Sequence, residues 1–552
     1  MNIIEKNNEI EIINLAIKNN LLVSPEVLSK ITKEDISNIL YLFKDKIEGS
    51  SVPLVVNIEL FNLISKSKDK INLNWQEYEK ARVDVERGNN SQIYDGFLQI
   101  LDTNNKHKRD FMNNSNEDLS ENDLVIKDKN SQQSNVIILK SYNSSPGKRS
   151  EADFVKYYNL RYEAIKNILI NRPDLKNTMS INKIGYAKGK ISVIGLVMDK
   201  ITTKNENVIL TVEDPTGYVK VIVSKSKFDL FQVTKDIVFD EVIGVVGAYG
   251  NGFLFAENIY FPDVPINNNL KKSEDEAYVA FISDIHVGSQ KFLKQEFQTF
   301  IDWLNGKYGD QRQKEIASKV KYILIIGDTV AGVGVYPNQD EELEIKDILD
   351  QYKELANYLK GIRNDIKMVM CPGNHDATRV AEPQPPPSKD YAKDLYQIDN
   401  LLLVTNPCLI NIHSSENFEG FNILMYHGAS FHYYIDNVDR LRKEKARDNP
   451  SIVLKLLLQK RHLAPSHGST LILPDVNNDF LVIDKIPDIV VSGDMHKSDV
   501  AKYNNIIIIN CSCWESKTDF QEKTGNNPDP CKVPIINLKT REIKIMRFDK
   551  ID

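Results

Sequence analysis

The sequence lacks the features that mark secreted, disulfide-bonded or membrane-spanning chains. It has five cysteines, an odd number, and no CxxC pair, so neither a disulfide framework nor a zinc knuckle is predicted. Its first residues mix charges into the apolar positions, which is unlike a signal peptide. No apolar run approaches the length of a transmembrane helix. We therefore expect a cytoplasmic protein with no membrane partner.

The sequence also lacks an excess of positive charge. Its 552 residues include 70 Lys and Arg against 77 Asp and Glu, a formal net charge of -7. Overall charge therefore does not attract the chain to nucleic acid, and any DNA contact must come from local basic surface or from metal ions. Hydrophobic residues make up 41% of the chain, which is ordinary for a protein with buried cores. The length predicts three or four domains.

Residues 66–149 are poor in apolar side chains and rich in Asn, Ser, Asp and Lys, which predicts a flexible polar linker with one or two short ordered pieces. Before it, Ser24-Pro25 and Thr32-x-x-Asp35 are helix-start signals, so we expect a small helical module over 1–65. After it, Ser150-x-x-Asp153 predicts the cap of a connecting helix within 150–180. The apolar stripe expected for that helix is Phe154, Tyr158, Tyr162, Ile165 and Leu169.

Residues 181–265 contain about five short β runs separated by turn residues, a pattern that predicts a small closed barrel. The pattern resembles an all-β OB-fold, and such barrels bind single strands through aromatic and basic surface. The basic candidates for nucleic-acid binding are Lys188, Lys190 and Lys220. The alternative is that the barrel serves mainly for protein docking.

Residues 270–552 alternate strands with helices, which predicts an α/β domain of the αββα sandwich type. Five of its apolar runs end in residues able to bind a metal ion. Since ligands collect at the carboxyl ends of strands in open α/β sheets, these positions are expected to share one small space. They are Asp284 and His286, Asp328, Asn374 with His375 and Asp376, His427, and Asp494 with His496.

Carboxylate, imidazole and amide oxygen suit Mn²⁺, Mg²⁺, Fe or Zn²⁺. Asp284 and His286 point to the same side of an extended segment, and the single carboxylate of Asp328 could bridge two ions. Two ions about 3.5–4 Å apart clamp both the attacking and the leaving oxygen of a phosphoryl displacement. The pattern therefore indicates a two-metal site for phosphate chemistry.

The ordered stretches SDIHVG, GDTV, GNHDATR, MYHG and GDMH resemble the motifs of calcineurin-like metallophosphoesterases. The stretches GVGVYPNQDEELEIKDILDQY, AEPQP, QKRHLAPSHG and NCSCWESKTDFQEKTGNNPDPCKVPIINL resemble the small subunit of the archaeal family D DNA polymerase. The resemblance covers roughly residues 150–552 of this chain. That family joins an OB-fold to a phosphoesterase domain, in the order found here.

The resemblance implies a role for each matching residue. One ion would be held by Asp284, His286, Asp328 and His496, and the second by Asp328, Asn374, His427 and Asp494. His375 would not bind metal but would protonate the leaving 3′-oxygen or stabilise the transition-state phosphate. Asp376 would orient His375 or cap the next turn. Arg379 would contact a substrate phosphate or fix its own loop by a salt bridge.

The resemblance also implies an activity and partners. The family is a 3′→5′ exonuclease that proofreads DNA ends and assembles with a large polymerising subunit. We therefore expect two divalent ions, with Mn²⁺ favoured over Mg²⁺, Fe or Zn²⁺, and DNA 3′ ends as substrate. A sliding clamp is a further candidate partner.

One position departs from the family pattern. The last motif usually reads Gly-His-x-His, and here Asp494 replaces the first histidine. Either the carboxylate still binds the second ion, or the shorter side chain leaves that site weakened. The alternatives are thus a catalytically weakened structural subunit of the same polymerase, or a stand-alone metallophosphoesterase. His462 and His467 lie off the strand-end pattern and are expected to pack.

Overall fold

The computed structural model describes residues 136–143, 148–187, 189–266 and 269–549, together with isolated positions between 12 and 56. Residues 1–120 and 121–552 form two compact units. In the first unit, strands Leu21–Val23 (β1) and Leu54–Val56 (β2) pair in parallel. The side chains of Thr32 and Asp35 accept each other's backbone N–H, as the predicted capping box requires. Most of the module predicted over 1–65, and the linker up to residue 135, lie outside the described residues.

The second unit begins earlier than the sequence indicates. Val136–Lys140 forms strand β3, which pairs antiparallel with Cys408–Ile412, although these residues belong to the predicted linker 66–149. The connecting helix, Glu151–Leu169 (α1), starts at the predicted capping box of Ser150 and Asp153. Its buried face differs from the predicted stripe, because Tyr157 and Arg161 are buried whereas Phe154 and Tyr158 are only half-buried.

A closed five-stranded barrel follows α1, as predicted. Its strands are hydrogen-bonded in the order β4-β5-β6-β8-β7, and its interior is filled by Val, Ile and Leu side chains. The turn between β5 and β6 is the predicted Asp214–Gly217 hairpin. The elements are Lys190–Thr202 (β4), Val208–Asp214 (β5), Gly217–Val223 (β6), Phe228–Val233 (α2), Val242–Gly250 (β7) and Phe253–Tyr260 (β8).

Two mixed six-stranded sheets make up the rest of this unit. In the first sheet the order is β12-β11-β10-β9-β18-β19, and in the second it is β16-β17-β15-β14-β13-β3. The strands are Tyr278–Ile282 (β9), Val320–Ile326 (β10), Lys367–Cys371 (β11), Leu401–Leu403 (β12), Cys408–Ile412 (β13), Phe421–Met425 (β14), Ile489–Ser492 (β15), Asp499–Tyr503 (β16), Ile506–Asn510 (β17), Lys532–Asn537 (β18) and Ile543–Arg547 (β19).

The sheets pack face to face, with helices on both outer faces. Every residue of β9 is buried, because Tyr278, Ala280 and Ile282 face the helices while Val279 and Phe281 face the second sheet. The result is the predicted αββα sandwich. Its helices are Lys294–Leu304 (α3), Gln311–Ser318 (α4), Ile348–Lys360 (α5), Lys389–Ala392 (α6), Phe431–Asn437 (α7), Asp439–Lys443 (α8), Ser451–Lys460 (α9) and Asp519–Thr524 (α10). Among the described residues, no helix is both long and apolar enough to cross a bilayer.

Candidate metal centre

The predicted strand-end residues converge at one edge of the sandwich. Strands β9, β10 and β11 are parallel neighbours in the first sheet, and β14 and β15 are parallel neighbours in the second. Their carboxyl ends therefore point the same way. The residues brought together are Asp284 and His286 after β9, Asp328 after β10, Asn374 and His375 after β11, His427 after β14, and Asp494 and His496 after β15.

The backbone at these strand ends is strained. The φ angle is 51° at Asp284, 53° at His286, 48° at Asp328, 66° at Asp494 and 54° at His496. Non-glycine residues rarely occupy this left-handed region, and such positions concentrate at functional sites. The surrounding fold thus holds these five side chains in directions that a relaxed chain would not favour.

Two glycines allow the strand ends to approach each other. A Cβ atom on Gly373 would overlap Asp328 Oδ1 and lie 2.6 Å from His427 Nε2. A Cβ atom on Gly493 would overlap Ser283 Oγ and lie 2.7 Å from Asp284 Oδ2. Glycine is needed at both positions because no side chain fits between the neighbouring strand ends.

The Asp328 carboxylate lies at the middle of the cluster. Its Oδ2 atom is 3.3 Å from His427 Nε2, 3.9 Å from His375 Nε2 and 4.0 Å from His286 Nε2. On one side, Asp284, His286 and His496 bring ligand atoms within 4.8 Å of one another. On the other side, His427 Nε2 lies 3.7 Å from Asp494 Oδ1. A single carboxylate therefore stands between two groups of metal-binding atoms.

Backbone carbonyls orient two of the imidazoles. His427 Nδ1 donates to the Ile326 carbonyl at 2.8 Å, and His375 Nδ1 donates to the Ala331 carbonyl at 2.7 Å. Because a carbonyl can only accept, each Nδ1 carries the proton in the neutral ring, and each Nε2 keeps its lone pair. For His427, that lone pair points at the carboxylates of the cluster.

Several buried atoms in the cluster lack a hydrogen-bond partner among the described residues. They are Asp284 Oδ1, Asn374 Oδ1, His427 Nε2 and Asp494 Oδ2. Buried polar atoms without partners are costly, so four of them in one cluster indicate a place for a cation. All four atoms are oxygen or imidazole nitrogen, the donors that Mn²⁺, Mg²⁺, Fe and Zn²⁺ accept. The residues therefore fit a divalent metal centre.

The charges in the cluster attract positive charge to its centre. Burial alone would lower the pKa of His427, but the carboxylates of Asp328, Asp284 and Asp494 raise it well above the ordinary value. Burial, with the nearby charge of His375, lowers the pKa of His286 well below the ordinary value, so that imidazole is neutral. Excess negative charge beside a neutral imidazole is what a divalent cation would neutralise.

Asp376 and Arg379, the two residues predicted to have supporting roles, both hold loops beside the cluster. Asp376 is buried and accepts hydrogen bonds from Gly373 N, Thr329 and Tyr352, whereas the Ala331 carbonyl orients His375. Arg379 donates to the carbonyls of Ala381 and Pro383 and does not line the central cavity. Of the two roles predicted for Arg379, these contacts match the fixing of its own loop, through backbone carbonyls in place of a salt bridge.

The barrel residues predicted to bind nucleic acid lie in different settings. Lys220 lines a groove together with Tyr186, Tyr218 and Tyr249. Lys190 forms an exposed ion pair with Glu257 at 2.9 Å. Lys188 lies outside the described residues.

Sequence reasoning missed several residues around the central cavity, which has a volume of about 230 Å³. Tyr336, Glu342, His432, Glu515 and Gln521 line it together with the predicted ligands. Only His432 carried a signal that could have been used, since it follows the MYHG strand end by five residues on α7. The others come from loops and from α10, where the sequence shows no metal-binding pattern.

Fold and site together define a class of protein. The calcineurin-like phosphoesterase family matches residues 277–498, the region that supplies all five strand ends. This family implies divalent metal ions, and the donor atoms described above fit them. The α/β domain is therefore a metallophosphoesterase domain.

The chain is also similar to named relatives over a longer stretch. It is 39% identical to the DNA polymerase II small subunit of Methanothermobacter thermautotrophicus, over 72% of this chain and 79% of that protein. It is 39% identical to the protein of the same name from Methanocaldococcus jannaschii and 37% identical to the one from Pyrococcus abyssi. Those alignments cover 70% and 73% of this chain but only 64% of each relative.

The chain belongs to the DNA polymerase II small subunit family. The resemblance to the small subunit of the archaeal family D polymerase is thereby confirmed.

Proposed function

We propose that the strand-end cluster is a two-metal 3′→5′ exonuclease site that removes nucleotides from single-stranded or mismatched DNA 3′ ends. The central position of Asp328 carries this proposal. Its carboxylate lies within 4.0 Å of imidazole nitrogens on both sides, which is the arrangement a shared ligand of two ions requires. Asp284, His286 and His496 complete one set of ligands, and Asn374, His427 and Asp494 complete the other.

Two divalent cations, with Mn²⁺ favoured, would polarise the phosphodiester and lower the pKa of an attacking water. The protein's part is to place the scissile phosphate against His375. Hydrolysis forms a bond from the water oxygen to phosphorus and breaks the bond from phosphorus to the 3′-oxygen of the chain. The departing 3′-oxygen takes a proton. His375 Nε2 lies near Asp328 on the cavity wall, where the doubly protonated ring, with Nδ1–H on the Ala331 carbonyl, can donate one.

The barrel is proposed to be an OB-fold that guides the single strand. Its strand order β4-β5-β6-β8-β7, with α2 between the third and fourth strands, fits that fold. Tyr186 and Tyr218 are 90% and 65% exposed, so their rings are available for stacking on bases, and Lys220 lines the same groove with them and Tyr249.

The names of the relatives include the words small subunit, which supports a large polymerising subunit as partner of this chain. DNA 3′ ends would then be delivered from the partner's active site. A sliding clamp stays a prediction from the sequence.

A structural subunit with weakened catalysis is the second candidate, and Asp494 favours it. This residue replaces the first histidine of the usual Gly-His-x-His motif, so the second set of ligands has one imidazole where the family pattern has two. A stand-alone phosphatase is disfavoured by the family to which the chain belongs.

The decisive experiment uses the full chain with Mn²⁺ on 3′-labelled single-stranded DNA. We expect release of labelled mononucleotide, reduced by about 10²–10⁴-fold in His375→Ala, because a positioned proton donor typically contributes that much. His467→Ala is the matched control, since this exposed imidazole contacts Tyr158 far from the strand ends. No release by the wild-type chain would support the structural subunit, and turnover of phosphate monoesters but not DNA would support the phosphatase.

A further inference from the structure

His432 has no role in the ligand sets above, yet it lines the same cavity. It lies on α7, directly after the strand end that supplies His427. Its side chain is 41% exposed, and its Nε2 atom is 3.5 Å from Asp494 Oδ2. This is an ion-pair separation, a few tenths of an ångström longer than a typical N–H···O hydrogen bond.

The two oxygens of Asp494 face different imidazoles. Oδ1 is 3.7 Å from His427 Nε2, on the side of the proposed second ion, and Oδ2 faces His432. The backbone of Asp494 is held in place, because its N–H donates to Asp284 Oδ2 at 3.1 Å. The carboxylate therefore spans the space between a ligand and a residue with no assigned function.

The second oxygen of this carboxylate needs a partner. Oδ2 is buried and makes no hydrogen bond among the described residues, and His432 Nε2 is the donor that faces it. A carboxylate that binds metal through one oxygen is usually held by a hydrogen bond to the other. Among the described residues, His432 pairs with the carboxylate of Asp494 and with no other member of the two ligand sets, so its place is beside that ligand.

We infer that His432 is a positioning residue for the second metal ion. Its Nε2–H donates to Asp494 Oδ2, which turns Oδ1 towards the ion beside His427. The pair of Asp494 and His432 thus takes the place of one imidazole ligand. This inference rests on the proposed two-metal function.

The test is calorimetric titration of the metal-free full chain with Mn²⁺, with the number of bound ions counted by electron paramagnetic resonance. We expect two ions in the wild type. His432→Ala should weaken the second ion by about 10–100-fold and leave the first unchanged, since partners of this kind contribute that much to metal affinity. His432→Gln keeps an N–H donor at a similar reach and should restore most of the affinity. His467→Ala is the control and should behave as the wild type.

The same substitution in an Asp494→His background separates the inference from its alternatives. With an imidazole at 494 the carboxylate is gone, so His432→Ala should then have no further effect on Mn²⁺ affinity. An equal loss in both backgrounds would show that His432 acts on the ion or the fold independently, and would overturn the pairing. Unchanged affinity in His432→Ala, with two ions still bound by the wild type, would overturn this inference alone. A wild-type chain that binds no Mn²⁺ would overturn the proposed function with it.

Discussion

Two clusters in this protein both contain buried carboxylates and imidazoles, but they differ in whether the carboxylate oxygens have hydrogen-bond partners. The first cluster is centred on Asp479, which pairs with Arg161 of α1 although the two residues are 318 positions apart in the chain. Its Oδ2 accepts from Arg161 Nε at 2.8 Å and faces His462 Nε2 at 2.9 Å. Its Oδ1 accepts from Tyr157 at 2.7 Å and from Leu481 N at 3.0 Å. Every oxygen of this buried carboxylate is satisfied.

The candidate metal centre shows the opposite pattern. Among the described residues, Asp284, His427 and Asp494 each keep a buried atom without a hydrogen bond, although imidazoles and carboxylates lie within 4 Å of each other. The difference lies in the donors. The Asp479 cluster includes a guanidinium and a phenol, which both donate, whereas the ligand side chains at the strand ends are carboxylates, imidazoles and one amide. A buried acidic cluster is therefore suited to bind a cation when the surrounding protein supplies too few hydrogen-bond donors to its carboxylates.

The Asp479 cluster also explains His462. Burial, together with Arg161, lowers the pKa of His462 to about 4, so the ring is neutral and donates from Nε2 to Asp479. Its Nδ1 accepts from Ala464 N at 2.9 Å. His462 thus packs in a structural network, as its place off the strand-end pattern indicates.

The largest effect is expected from substituting the central carboxylate of the candidate metal centre. Asp328→Asn should abolish tight binding of both Mn²⁺ ions, because the carboxylate lies between both ligand sets. Losing a shared ligand worth about 4 kcal/mol of transition-state stabilisation would slow DNA hydrolysis about a thousandfold. Titration calorimetry and the labelled-DNA assay measure the two effects. The melting temperature of the metal-free chain should change little.

Asp479→Asn is the matched substitution and should show the reverse pattern. It leaves the buried guanidinium of Arg161 without its counter-charge, so we expect a loss of about 3–5 kcal/mol in the free energy of unfolding. Mn²⁺ affinity should stay within twofold of the wild type. Loss of metal binding in Asp479→Asn, or strong destabilisation in Asp328→Asn, would show that the two clusters are not functionally distinct.

A smaller effect is expected from the close approach of the strand ends. Gly373→Ala places a methyl group against Asp328 and His427, which forces them apart at a cost of about 1–3 kcal/mol. Mn²⁺ affinity should fall roughly ten- to hundredfold. Gly185→Ala is the control, because a Cβ atom there meets nothing within 4 Å. Equal affinities in the two variants would mean that the strand ends are less tightly packed than described.

The strand ends were predictable from the sequence because both of their signals are local. Each run of four to seven apolar residues identifies a buried strand, and the polar residue that follows it identifies the edge where strands meet. The capping box of Ser150 is local in the same way. The buried face of α1 was not predictable in this way. Arg161 is buried there because it pairs with Asp479, which lies in a distant loop. Strand β3 was missed because its pairing partner, β13, also lies far along the chain.

Within the site, residue types were predictable and orientations were not. The sequence indicates that Asp376 is near His375, but a carbonyl 44 residues away holds the imidazole instead. The contact of His432 with Asp494 joins two strand ends whose adjacency depends on the parallel pairing of β14 and β15. Distances across a sheet edge follow from packing, which no local pattern encodes.

The last comparison concerns Glu382, a third kind of buried carboxyl. Its described partners are the hydroxyl of Tyr426 at 3.2 Å and the amide of Asn406 at 3.5 Å, which supply donors but no cation. Burial raises the pKa of Glu382 to about 8, so it stays protonated in the folded chain at neutral pH. Glu382 thus resembles Asp479 in having hydrogen-bond donors, but its described donors carry no positive charge.

The raised pKa makes the stability contribution of Glu382 depend on pH. Between about pH 4.5 and 8 the unfolded chain releases this proton and the folded chain keeps it, so rising pH favours unfolding. Glu382→Gln removes the titration, and its stability relative to the wild type should rise by up to about 1.4 kcal/mol for each pH unit across that window. Urea unfolding of both chains at pH 5 and pH 8 measures the difference. Glu257→Gln is the control, since its pairing with Lys190 lowers the pKa and leaves it ionised at both values. If the stability difference between Glu382→Gln and the wild type did not grow with pH, a cation would have to reach this carboxyl. The supply of hydrogen-bond donors alone would then not distinguish the buried clusters.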